Sequence, residues 1–270
     1  MAADLAAKAI DEGADLVLAL GGDGTINEVA NGMVGSRVPL GILPAGTANV
    51  LAMELGLGGR VHKAIPKLSR CSPERISIGL LRNEMGSRYF LLMAGAGLDA
   101  EIVYNINADL KKAIGKVAYW VGGFSHLTRR IPEFDVCVGG ERHRVGFLLA
   151  SRVRNYGGDL EIATGANLLD DQFEAVLFEG QNPLRYMVYF TGVLLRQLGR
   201  ISGARMEKCR KLELSAPEDR RIYVQLDGEY AGRLPATIEI VDDALTLLVP
   251  TDFRERLGIR VIEAFEPAPG

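Results

Sequence analysis

The rhythm of apolar and polar positions changes once along the chain, near residues 70–75. Before that point, apolar runs without alternation are separated by amphipathic stretches. Helices are predicted at 2–12, 25–33, 47–55 and 61–69, and strands at 15–20 and 38–43. Unalternated apolar strands between helices imply a parallel sheet covered on both faces, and such sheets bind ligands at the carboxyl ends of their strands. Two strands bury too little core for a nucleotide domain, so this first unit reads as an α/β domain incomplete at its N-terminus. Beyond it, short runs rich in Ile, Val, Leu, Phe and Tyr fall at 75–82, 88–94, 134–138, 145–151, 173–178, 211–215, 221–226, 236–241 and 244–249. Turn signals such as Gly139-Gly140, Asp227-Gly228 and Asp242-Asp243 punctuate them. That pattern predicts an antiparallel β-sandwich, interrupted by helices near 109–130 and 183–198. The expected organisation is a partial α/β domain over 1–73, a sandwich over 74–250, and a C-terminal segment, 251–270, that packs back on the first domain.

Charge and composition narrow the classes. A net charge of −3 over 270 residues gives no general attraction to nucleic acid, and none is expected as a partner. Cys71, Cys137 and Cys209 are scattered and odd in number, which argues against a disulfide framework or a cysteine zinc site and fits a reducing, cytoplasmic setting. The N-terminal stretch is acidic and alanine-rich, unlike a secretory signal. No apolar run reaches the ~20 residues of a membrane span; the longest, Tyr186 to Leu195, stops at Arg196. A visit to a membrane surface is still expected. Residues 111–130 interleave Lys111, Lys112, Lys116, Arg129 and Arg130 with Ile114, Val117, Trp120, Phe124 and Leu127. That helix reads either as one with a wet basic face or as one that meets anionic headgroups. An unpaired edge strand at the N-terminal end would favour homo-oligomers.

The candidate chemistry begins at Gly21-Gly22-Asp23-Gly24-Thr25, between strand 15–20 and the helix that follows. Glycines let backbone N–H groups approach an anion, and the helix N-terminus adds its positive end. Asp23 within that loop would repel a phosphate unless Mg²⁺ lies between them or the carboxylate handles a proton. The pentapeptide therefore points to nucleotide phosphoryl transfer. A second loop, Pro44-Ala45-Gly46-Thr47-Ala48-Asn49, opens the next helix on the same sheet edge. Alone it reads as turn chemistry, and the pairing of the two loops carries the functional reading. Asp227-Gly228-Glu229 reads from its residues as a hairpin turn, with a general base as the alternative. Asp170-Asp171 reads as a solvated turn or as ligands for a hard cation.

Taken together, Gly21 to Glu28 with Pro44-x-Gly46-Thr47-x-Asn49-x-x-Ala52 resembles the diacylglycerol kinase catalytic domain family. Gly95-Ala96-Gly97-Leu98-Asp99-Ala100, Asn155-Tyr156-Gly157-Gly158 and Leu226-Asp227-Gly228-Glu229 extend the resemblance along almost the whole chain. It implies an α/β domain and a sandwich that enclose an active site between them, with acyl chains entering the apolar interior of the sandwich. It implies ATP as co-substrate, held by Gly21, Gly22, Asp23, Gly24, Thr25, Ile26, Asn27 and Thr47. By the same resemblance Glu229 is the favoured proton acceptor with Asp227 close behind, and Asp23 positions Mg²⁺ or its water. Asp171, with backbone oxygens of Leu168 and Phe173, corresponds to a Mg²⁺ site in the sandwich, although Gln172 stands where a glycine is usual. Family members begin with a further strand and an Asn-Pro-x-Ser-Gly-type loop, so the chain reads as N-terminally truncated.

The expected activity is ATP-dependent phosphorylation of a lipid hydroxyl, on diacylglycerol or a related lipid, at a membrane surface. A non-catalytic lipid- or nucleotide-binding remnant is the first alternative, and an NAD kinase the second.

Overall fold

A computed structural model describes residues 1–105, 130–156 and 160–257. The basic helix predicted near 109–130 (Arg130 excepted), the Gly157-Gly158 pair and residues 258–270 lie outside these ranges.

The chain folds as an α/β layer followed by an antiparallel β-sandwich. Strands β1 (Val17–Gly21) and β2 (Leu40–Pro44) pair in parallel, with Gly21 opposite Pro44. Both glycine-bearing loops therefore leave one sheet edge side by side. Helices α1 (Ala2–Asp11) and α2 (Asp23–Met33) pack together on this layer. Their crossing is close because Gly32 has no β-carbon: one placed there would stand 2.1 Å from the Ala3 carbonyl oxygen. Ile26, Val29, Ala30 and Met33 give α2 its buried stripe.

Helices α3 (Val50–Glu54) and α4 (Val61–Leu68) lead into β3 (Cys71–Asn83). β3 pairs along its length with β16 (Ala236–Pro250), which also joins β2 through Leu247 and Leu40. Ser72 and Pro73 thus lie inside a strand that runs on into the sandwich. The runs 236–241 and 244–249 form this single β16, and Asp242-Asp243 is a bulge, not a turn. The register shifts between Val241 and Leu245, with Asp243 at φ 45°.

Among the described residues the second sheet has the order β12 (Ala204–Cys209), β11 (Phe173–Phe178), β8 (Phe147–Ser151), β5 (Met93–Gly97), β14 (Tyr223–Leu226), β15 (Glu229–Arg233). β8 is buried on both faces, Leu148 and Ala150 toward one core cluster and Phe147 and Leu149 toward the other, which explains its unalternated apolar run. The intersheet core is filled by side chains such as Phe134, Leu148 and the stacked pair Phe90–Phe173, whose centroids are 5.6 Å apart.

On the opposite face of the second sheet, α6 (Pro183–Leu194) covers Phe147 and Phe178; α5 (Leu98–Asn105) precedes it and α7 (Thr251–Arg256) follows β16. α7 buries Phe253 and lays Arg256 over Gly56.

Candidate functional site

Gly22 is the N-cap of α2, and its carbonyl accepts the first helical bond, from Ile26 N at 3.0 Å. The N–H groups of Asp23, Gly24 and Thr25 stand before that bond and are the unpaired donors of the helix end. They carry the positive end of the helix dipole, an arrangement able to receive an anion.

The second loop packs against the first through glycine. A β-carbon on Gly46 would stand 2.5 Å from Gly22 Cα, and one on Gly22 3.2 Å from Gly46 Cα. Asn49, buried and at φ 49°, holds this loop with its side chain. Its Oδ1 accepts from Gly46 N at 2.8 Å, and its Nδ2 donates to the carbonyls of Gly46 at 2.8 Å and Gly59 at 3.1 Å. Asp23 completes the clamp: its carboxylate accepts from Val50 N at 3.0 Å and Leu51 N at 3.1 Å, capping α3. Asp23 therefore has a structural task that joins the two loops, and each of its oxygens keeps a second lone pair.

From the sandwich side comes the β14–β15 turn. Asp227 and Gly228 both have positive φ, 48° and 82°, the requirement of the tightest hairpin turns. The Asp227 carboxylate accepts from Leu91 N at 3.3 Å, Leu92 N at 3.1 Å and Met93 N at 2.8 Å. Burial of its carboxyl group nevertheless pushes its pKa up to about 7, and the nearby negative charge of Asp23 acts in the same direction.

Behind the turn lies a relay absent from the set of site residues expected from sequence. Gln225 Oε1 accepts from Gly228 N at 2.8 Å, and Gln225 Nε2 donates to Asp99 Oδ2 at 2.7 Å. The Tyr156 hydroxyl donates to the other Asp99 oxygen. Asp99 is fully buried, and desolvation raises its pKa to about 6. Gly95 makes room for it, since a β-carbon there would fall 1.6 Å from Asp99 Oδ2. The signal was present in the Gly95-to-Asp99 and Asn155-Tyr156 motifs; the pairing of their side chains was not.

The two halves meet at Gly24 and Glu229. A β-carbon on Gly24 would stand 2.7 Å from Glu229 Oε1. Glu229 is exposed, and Arg88 lies 3.5 Å from its Oε2. Of the nucleotide-site residues expected from sequence, Gly21, Gly22, Asp23, Gly24 and Thr25 gather here. Thr25 is exposed with its side chain close over Gly21, and Thr47 is exposed on the second loop. Ile26 points into the core, and Asn27, 5% exposed, donates to the Tyr89 carbonyl at 3.2 Å. These two side chains serve packing and are turned away from the loop.

The Leu168, Asp171 and Phe173 set does not fit a cation here. The Leu168 carbonyl receives the guanidinium of Arg152, which is fully buried and whose pKa burial lowers to about 10. Arg210 donates to the Asp171 carbonyl at 3.0 Å and to its carboxylate, and to Asp242 Oδ2 at 2.6 Å. Phe173 lies in the ladder opposite Cys209. Arginine donors thus occupy two of the three expected ligands, the Leu168 carbonyl and the Asp171 carboxylate, and among the described residues no group of three or more His, Cys, Asp or Glu could hold a metal ion.

Comparison with known proteins matches residues 1–81 to the diacylglycerol kinase catalytic domain. Residues 93–249 match the YegS C-terminal NAD kinase beta sandwich-like domain. A protein named diacylglycerol kinase from Bacillus subtilis is 28% identical over 249 residues, 90% of this chain and 80% of that one. Its namesake from Staphylococcus saprophyticus is 29% identical over 257 residues, 92% of this chain and 81% of that one. A crystal structure of a diacylglycerol kinase from Bacillus anthracis superposes with a TM-score of 0.74 at 18% identity, covering 93% of this chain and 83% of that one.

Proposed function

We propose that this chain, which belongs to the family of the YegS C-terminal NAD kinase beta sandwich-like domain and matches the diacylglycerol kinase catalytic domain over residues 1–81, transfers the γ-phosphate of ATP to the hydroxyl of diacylglycerol or a related lipid. The observation that carries the reading is the contact between Glu229 and Gly24. It sets a solvent-accessible carboxylate beside the N-terminus of α2, where backbone N–H groups would receive phosphate oxygens.

In this reading the lipid hydroxyl oxygen forms a bond to the γ-phosphorus as the bond to the β-phosphate bridging oxygen breaks. The hydroxyl proton passes to the Glu229 carboxylate, and ADP leaves. Asp227, tied to three backbone N–H groups, positions the turn that presents Glu229. Arg88 adds positive charge on the same side. Mg²⁺ would arrive with the nucleotide, with Asp23 as its protein oxygen donor, and would neutralise charge on the transferring phosphoryl group.

The test is transfer of labelled γ-phosphate from ATP with Mg²⁺ into diacylglycerol, ceramide, a sphingoid base, phosphatidylglycerol or NAD, each offered separately. Label in a lipid supports the reading and names the substrate. Label in NAD alone, or ATP binding without any transfer, would overturn it.

A further inference from the structure

Helix α6 carries two apolar faces, and the fold uses one. Tyr186, Tyr189 and Val193 are buried against the second sheet. Facing outward are Leu184, Met187, Val188, Leu194 and Leu195, at 68%, 55%, 53%, 49% and 63% exposure. Their spacing of i, i+3, i+4, i+10 and i+11 places them on one side of the helix and its exit, with the exposed Thr191 between Val188 and Leu194. Exposed aliphatics gathered in this way mark an interaction site.

The charge around the stripe identifies the partner. Residues 180–206 contain no Asp or Glu, yet they include Arg185, Arg196, Arg200 and Arg205. All four arginines are exposed; Arg196 reaches Glu161 at 3.2 Å and Arg205 reaches Glu179 at 2.9 Å, both outside that run. A protruding apolar stripe bordered by arginine, with no carboxylate in its own segment, matches an anionic lipid surface. The 12 residues of α6 extend about 18 Å, too short to cross a bilayer and suited to lying in its interface. Directly beneath, Tyr186, Phe190 and Val193 pack on Leu98, Phe147 and Phe178 and leave a gap of only about 10 Å³, so the inner face of α6 is filled and the outer face is the one offered.

We propose that the outer face of α6, from Leu184 to Leu195 with Arg196 and Arg200, docks this protein on anionic bilayers. The docking does not depend on the lipid-kinase reading.

The experiment is co-sedimentation of the full chain with vesicles of phosphatidylcholine alone or with phosphatidylglycerol. Two variants accompany it: L184E/M187E/L195E and R196E/R200E. The chain is expected to bind the anionic vesicles, less so as salt rises. The apolar variant should lose binding about tenfold or more at an unchanged melting temperature, because the replaced side chains are exposed. The arginine variant should lose the preference for phosphatidylglycerol. No vesicle binding by the chain, or equal binding by both variants, would overturn the proposal. So would a dimer that the apolar variant turns into a monomer while vesicle binding persists. Phosphate transfer to a short-chain lipid in detergent micelles separates the two claims. Vesicle binding without transfer would sink the kinase reading and leave the docking surface standing.

Discussion

Glu229 Oε1 lies 2.7 Å from where a β-carbon on Gly24 would sit, so the absence of a side chain at Gly24 lets the sandwich carboxylate approach the start of α2. The account predicts an unusual split for Gly24→Ala. The obstructing atom is the end of a flexible side chain, and alanine is favoured over glycine in a helix by up to about 1 kcal/mol. The variant should melt at or above the temperature of the parent protein. Its phosphate transfer should fall by about tenfold or more, because the displaced carboxylate no longer reaches its position. Parallel urea melts and transfer rates check this.

Asp23→Ala is expected to cost both stability and activity. Removing the carboxylate takes away the cap on Val50 N and Leu51 N, worth about 1–2 kcal/mol. Loss of turnover follows from the place of Asp23 in the glycine loop, and the clamp adds the stability loss. A denaturant midpoint identical to that of the parent protein would remove the clamp from the account.

The buried Asp99 gives a pH signature. Its pKa is raised to about 6 from an unfolded value of about 3.9, so the folded state holds the proton more tightly than the unfolded one. Stability from this group is present in full below about pH 4 and is lost as pH rises through about 6. Asp99→Asn removes that dependence. The stability advantage of the parent protein over the variant should shrink by about 2 kcal/mol between pH 4 and pH 7. Asp227, also raised, is common to both proteins and cancels. Urea melts at the two pH values measure the difference, and a constant gap would contradict the assignment.

Mg²⁺ should not stabilise the sandwich in the absence of nucleotide. Arg152 and Arg210 already satisfy the Leu168 carbonyl and the Asp171 carboxylate, and a divalent cation would have to displace them. Melting temperatures in EDTA and in Mg²⁺ are expected to coincide. A Mg²⁺-dependent rise abolished by Asp171→Asn would show that a cation does bind there.

Strands packed on a core were legible in the sequence, whether alternating, as at 134–138 and 211–215, or buried on both faces. β8 and β11 announced themselves by continuous apolar runs because each faces two cores. β7 (Glu141–Val145), β12 and β15 did not, and all three lie at sheet edges, where one face is solvated and charged. Asp242-Asp243 resembled a turn because a bulge requires the same backbone conformation as a turn. The glycine loops were legible through their residues and their place after strands. The clamps that shape them were not, since Asn49 and Asp23 act on backbone groups of a neighbouring loop. Ile26 and Asn27 entered the expected site through the family resemblance, whereas helical geometry turns both side chains inward.

The central claim is that Glu229 accepts the proton of a lipid hydroxyl at the start of α2. The most direct measurement is single-turnover transfer of labelled phosphate to lipid by the parent protein and by Glu229→Gln, with ATP affinity measured beside it. The account predicts label in lipid from the parent protein, and a rate about 100-fold or more lower in the variant at similar ATP affinity. Equal rates in the two proteins would contradict it.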